Sequence, residues 1–255
     1  MSGPSVAELR AVAQPAGTMD RQSGEHWAGS LYMRKLSIYV TWALAKTPIT
    51  PNQTTGLMIV TGLVAGAVLA LPGLAAAVAS FLLVQLYLLF DCSDGELARW
   101  TRRTSITGVY LDRVGHYFCE AALLIGLGFR ASTTLPDWYT VLGVAAALGA
   151  ILIKAETDLV DVARARSGLP AATESSAGQF RSGLMGLARR VIGATKFHRI
   201  VQAVELSILA VLAAVIDLVV GDITATKVLT VACVVAAGIQ VILHLVSILA
   251  SRRLA

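Results

Sequence analysis

The 255-residue chain is 56% apolar and only 15% charged, against roughly 25% charged residues in an ordinary soluble domain, and its mean hydropathy is +0.70. That balance excludes a water-soluble globule and places the chain in a bilayer. The formal charge of +5 does not indicate nucleic acid, because the basic residues collect at the ends of apolar runs, where they orient membrane spans. Cys92, Cys119 and Cys233 lie in apolar stretches without metal-ligand spacing, so they read as small buried hydrophobes rather than a disulfide framework or a zinc site.

Residues 1–29 are polar and lack the apolar core of a secretory signal, which predicts an uncleaved cytoplasmic tail ahead of one membrane domain, 30–255. In 30–46, Leu31, Leu36, Ile38, Val40, Trp42 and Leu44 are mixed with Arg34, Lys35 and Lys46, the pattern of an interfacial helix lying along the membrane surface. Six apolar runs follow, at 52–72, 74–99, 107–130, 137–157, 200–220 and 226–251. Each is close to the ~20 residues that carry a helix across the hydrocarbon. They are separated by Pro72 and Gly73, an arginine-rich turn after Arg99, Pro136, and Gly221 with Asp222. An all-α integral membrane fold of six spans plus the interfacial helix is therefore expected.

Charge sets its orientation. Arg10, Arg21, Arg34, Lys35 and Lys46 precede the first span, and Arg99, Arg102 and Arg103 follow the second. Arg164, Arg166, Arg181, Arg189, Arg190, Lys196 and Arg199 separate the fourth from the fifth, and Arg252 and Arg253 end the chain. Only Arg130 and Lys227 fall at the other face, so both termini are expected in the cytoplasm of an inner, multi-pass membrane.

Acids inside apolar runs are costly and mark function by default. The second span carries Asp91, Asp94, Gly95, Ala98 and Arg99 on one helical arc, and the third carries Gly108, Asp112, His116 and Glu120 at intervals of four. Asp91 and His116 each stand eight residues from the turn side of their helix, ~12 Å at 1.5 Å per residue, so a hairpin brings the two sets face to face. Crowded carboxylates at low dielectric call for a cation, and hard oxygen donors favour Mg²⁺ or Mn²⁺. Arg99, Arg102 and Arg103 offer charge to phosphate, and Gly95, Ala98 and Gly108 clear space beside the acids. Together these describe phosphoryl chemistry.

This run resembles the signature of the CDP-alcohol phosphotransferase (CDP-alcohol phosphatidyltransferase) family, D-x-x-D-G-x-x-A-R, eight residues, then G-x-x-x-D-x-x-x-D. Asp91, Asp94, Gly95, Ala98, Arg99, Gly108 and Asp112 meet it, and His116 stands in place of the last aspartate. Pro51, Asn52, Gln53, Thr54 and Thr55 are similar to the family's P-N-x-aliphatic-T entry to the first span, with Thr54 at the aliphatic position. The resemblance implies a cytoplasm-facing cavity, commonly in a homodimer, and transfer of a phosphoalcohol group from a CDP-alcohol, most commonly CDP-diacylglycerol, to an alcohol or phosphoalcohol acceptor. CMP is released, and the reaction belongs to phospholipid or related lipid biosynthesis. It implies two divalent ions, with Asp91, Asp94, Asp112 and His116 at the metal site, and Asn52, Thr55, Gly95, Ala98, Arg99 and Gly108 around the substrate.

The family's last aspartate is the base proposed to activate the acceptor, and His116 inherits that expectation. An imidazole, titrating near 6.5 when unperturbed, is well matched to the task. Two other classes stay open: a catalytically silent CDP-alcohol-binding member, because of His116, and a cation or proton transporter, which leaves the Gly95, Ala98, Arg99 and Gly108 spacing unexplained. Glu120, one turn beyond His116, either orients the imidazole or merely satisfies it. Glu96 and Arg113 are expected to pair with other charges, and Gly62 with Gly66 to pack helices. Lys154, Glu156, Asp158 and Asp161 continue the fourth span into the cytosol, and Arg164, Arg189, Arg190, Lys196, His198 and Arg199 either line an acceptor site or anchor the protein at the headgroups.

Overall fold

The structure is a computed structural model, and it describes residues 5–15, 27–134, 136–170, 197–251 and 253–254. Among these the chain is all-helical: α1 (Val6–Ala13), a π-helical turn (Gly29–Met33) running into α2 (Arg34–Leu44), α3 (Pro51–Leu69), α4 (Leu74–Thr101), α5 (Ile106–Ala131), α6 (Trp138–Arg166), α7 (Ala203–Val220) and α8 (Thr224–Ala250). Of the residues used to orient the chain, Arg21, Arg181, Arg189, Arg190, Lys196 and Arg252 lie outside the described residues.

Local chemistry fixes the helix ends. Pro51 opens α3 behind a Thr50 and Gln53 capping box. Asp137 caps α6 through the amides of Tyr139 and Thr140. The α4–α5 hairpin turns at Arg102, in the left-handed region at φ 53, and restarts where Ser105 Oγ accepts from the Gly108 amide at 2.9 Å. Asp217 near the end of α7 accepts from the Ala225 amide at 2.7 Å, so this span-end acid caps α8.

Five helices, α3, α4, α6, α7 and α8, are long and apolar enough to cross a membrane. Beside them stands α5, 26 residues long, whose Asp112, Arg113, His116 and Glu120 dilute its apolar character and which packs against both α3 and α6. The α3–α5 seam is made of small residues: a Cβ on Gly62 would stand 2.8 Å from Cys119 Cβ. Such close approach is how helices pack where water supplies no hydrophobic drive. Met58, Leu69, Leu123, Leu127 and Leu206 fill the interior, while Leu212, Ile216 and Val219 of α7 face outward, as a lipid-facing surface requires. The three cysteines are free and buried.

At one end of the bundle α2 lies across α4, with its Leu36 and Tyr39, and Leu31 of the preceding π-helical turn, exposed and its Ile38 and Thr41 buried. Within the N-terminal segment read as a polar tail, α1 forms a helix that sets Leu9 and Ala13 against Ile38, with Trp42 and Trp100 alongside.

Candidate active site

At that same end, α3, α4 and α5 enclose a cleft of about 380 Å³. All ten residues singled out by sequence line it: Asn52 and Thr55 from the first turns of α3, Asp91, Asp94, Gly95, Ala98 and Arg99 from the last turns of α4, and Gly108, Asp112 and His116 from α5. The convergence follows from the caps. Pro51 starts α3 beside the point where Arg102 ends α4 and Ser105 starts α5, so three helix ends share one level.

Within the cleft the donor atoms of Asp91, Asp112 and His116 lie within 4.8 Å of one another. His116 Nε2 is 3.2 Å from Asp91 Oδ1 and 3.8 Å from Asp112 Oδ1. Two carboxylates and an imidazole at this spread fit one divalent ion, with oxygens that suit a hard cation and one nitrogen. Asp94 falls outside the trio; its Oδ2 accepts a hydrogen bond from Thr55 Oγ1 at 2.6 Å. Asn52 is tied to the hairpin, accepting from Ser105 Oγ at 3.2 Å, and a Cβ on Gly108 would stand 2.9 Å from its Oδ1. Gly108 thus makes room for Asn52. Gly95 makes room for a neighbouring cation, since a Cβ there would meet the Arg99 guanidinium at 3.3 Å.

The second ring nitrogen of His116 is also engaged: the buried Tyr87 hydroxyl lies 2.5 Å from Nδ1. Sequence reading missed Tyr87, although it stands four residues before Asp91 and so one turn along the same face. Glu120, expected to orient or satisfy the His116 imidazole, instead meets Lys154 at 3.2 Å. Arg113 pairs with Asp158, as expected of a charge beside Asp112, and Tyr117 donates to the same carboxylate. Glu96, expected to pair with a charge, instead accepts from three neutral donors, Gln14, Ser37 and Thr41, because α1 and α2 cover that face of α4. Arg103, read in the sequence as charge offered to phosphate, also lines the cleft, as does Arg34, whose position ahead of the first span gave only a topological signal.

Comparison with known proteins agrees with this geometry. Over 141 residues, 55% of this chain, the sequence is 30% identical to the bifunctional IPC transferase and DIPP synthase of Thermococcus kodakarensis. The chain spans about a third of that curated relative's length, 31%. The family model for CDP-alcohol phosphatidyltransferase matches residues 48–251, which take in every helix from α3 to α8 and the whole Asp91 to His116 hairpin. The chain belongs to the CDP-alcohol phosphatidyltransferase family.

Proposed function

We propose that this protein transfers a phosphoalcohol group, phosphatidyl in the first instance, from a CDP-alcohol to an alcohol or phosphoalcohol acceptor and releases CMP, as a step in phospholipid or related lipid synthesis. The observation that carries the reading is the Asp91, Asp112 and His116 trio, within 4.8 Å, in a cleft that Arg34, Arg99 and Arg103 also line. Carboxylates facing a divalent ion beside guanidinium groups suit a diphosphate. CDP-diacylglycerol is the proposed donor, and a homodimer the proposed assembly.

Asp91, Asp112 and His116 would hold a Mg²⁺ or Mn²⁺ ion, with Asp94 extending the donor set toward a second. Bound there, the ions neutralise charge on the diphosphate oxygens. In the transfer the acceptor oxygen bonds to the donor's β-phosphorus as the bond to CMP breaks, and the hydroxyl proton goes to a base. With the ring proton on Nδ1, donated to the Tyr87 hydroxyl, His116 Nε2 carries the one free lone pair beside Asp91 and Asp112, so at any moment it serves either as ligand or as base. Gly95 and Ala98 keep the α4 wall low for the nucleotide, and Asn52 and Thr55 complete the α3 wall.

Purified protein given CDP-diacylglycerol and a panel of alcohol and phosphoalcohol acceptors is expected to release CMP, to stop in excess chelator, and to resume with Mg²⁺ or Mn²⁺. Full activity in chelator would remove the metal from the mechanism. Ion uptake into proteoliposomes without nucleotide would favour a transporter.

The orientation proposed puts the cleft and both termini in the cytoplasm of the inner membrane, supported by the basic residues at the cleft end. A Ser167→Cys variant at the end of α6 is then expected to resist impermeant thiol reagents on intact cells, whereas Asp222→Cys reacts; the reverse pattern inverts the topology.

A further inference from the structure

The end of α1 touches both elements that carry cleft arginines. Its last carbonyls have no partner within the helix, and that of buried Ala13 accepts a hydrogen bond from Arg99 Nε at 2.7 Å. The next residue, Gln14, donates through Nε2 to the Arg34 carbonyl at 2.7 Å and to Glu96 Oε1 at 2.8 Å. Arg34 follows directly on the π-helical turn, an irregularity frequent at functional sites. Glu96 is fully buried, and Ser37 and Thr41 of α2 each donate to it at 2.7 Å. A buried carboxylate is tolerated when donors satisfy it. Here those donors come from α1 and α2, so Glu96 clamps both helices to the back of α4, while Leu9 packs the arm down beside Trp100.

Packing alone does not require this arrangement. Leu9 and Ala13 would seat α1 without any contact to Arg99 or to the Arg34 backbone. We propose that Ala13 and Gln14 are positioning residues: the α1 arm, which lies outside the family-matched residues 48–251, holds Arg99 and Arg34 at the cleft before the nucleotide's phosphates arrive. Ordering a flexible arginine in advance lowers the entropic cost of binding. The inference rests on the CDP-alcohol reading above and deepens it by assigning a part in donor recognition to a segment outside the family-matched residues.

The test compares wild type, Gln14→Ala and Leu9→Asn, each titrated with CDP, the fragment common to all CDP-alcohols, and assayed for CMP release over donor and acceptor concentrations. Both variants are expected to weaken CDP binding and raise donor KM about tenfold, the scale of losing a hydrogen bond to a charged group. Acceptor KM and kcat should change much less. Gln14→Glu should be worse, by setting two carboxylates together, and adding Glu96→Gln should recover donor KM by restoring an amide and carboxylate pair. Unchanged CDP affinity and donor KM in Gln14→Ala and Leu9→Asn overturn the proposal. So does a uniform loss of kcat that follows the folded fraction, which assigns the arm to stability alone. A wild type that neither binds CDP nor releases CMP overturns the transferase reading and this proposal with it, a result distinct from wild-type turnover with indifferent arm variants.

Discussion

The two sides of α4 treat their acids in opposite ways. Glu96, on the side covered by α1 and α2, is fully buried and receives hydrogen bonds from Gln14, Ser37 and Thr41. Asp91, five residues earlier, faces across the hairpin to His116 and shares its neighbourhood with a second carboxylate, Asp112. Burial therefore does not single out the acid proposed to act; the kind of partner does. An acid surrounded by neutral donors is complete as folded, whereas carboxylates brought together across a cleft repel one another until a cation joins them.

The sharpest way to break this comparison is to neutralise one acid on each side. Asp91→Asn keeps shape and removes charge, so CMP release is expected to fall ~10³-fold or more, as when a group meeting transition-state charge is deleted, while thermal stability holds or rises. Glu96→Ala should do the reverse in emphasis. It strips the acceptor from three donors, each buried unsatisfied group costing about 1–3 kcal/mol, so the loss should appear first in the melting temperature. Equal melting losses in the two variants would dissolve the distinction.

A smaller effect is expected within the cleft itself. His116→Ala should lower the rate roughly 10²- to 10⁴-fold, the usual worth of a positioned base. Excess Mn²⁺ separates the two roles: it restores the variant if His116 is a ligand and does not if it is the base. Tyr87→Phe removes the partner of Nδ1 and should cost about 10- to 100-fold in metal affinity or rate, the range for groups that orient a ligating histidine. A wild-type rate in His116→Ala would leave proton removal to another group.

What the sequence made legible was whatever repeats along a helix. Asp91, Asp94, Ala98 and Arg99 could be placed on one arc, and Asp112 and His116 on the facing one, because i, i+3 and i+4 spacing is local. The cleft, the hairpin and the small-residue seam at Gly62 all follow from such spacing. Illegible were the partners set by tertiary approach: Gln14 reaches Glu96 across 82 residues and Thr41 reaches it across 55. Nothing in the polar N-terminal segment signalled that α1 would dock beside the motif. Glu120 likewise had only His116 as a partner by sequence, and it is the approach of α6 that brings Lys154 to it.

The mildest test lies at the opposite end of the bundle, where an acid resembles Glu96 in being well supplied with donors and differs in standing far from the cleft. Asp137 accepts from Ser132 Oγ at 2.7 Å and from the amides of Thr133 at 3.1 Å, Tyr139 at 2.8 Å and Thr140 at 3.3 Å. The Ser132 hydroxyl foremost, with those amides, holds its carboxyl below the usual aspartate range. A folded-state value below the unfolded one of about 3.9 gives a contribution fully present above that pH and lost as the pH falls through the folded value. Asp137→Asn keeps a good N-cap acceptor but does not titrate. Its melting temperature should stay near wild type at neutral pH, and its decline below about pH 4 should be shallower than wild type. CMP release at neutral pH should be unchanged, since donor-satisfied acids outside the cleft serve the fold. An acid slope identical to wild type would detach Asp137 from that decline, and a lost reaction at neutral pH would show that supplying an acid with donors does not keep it out of the chemistry.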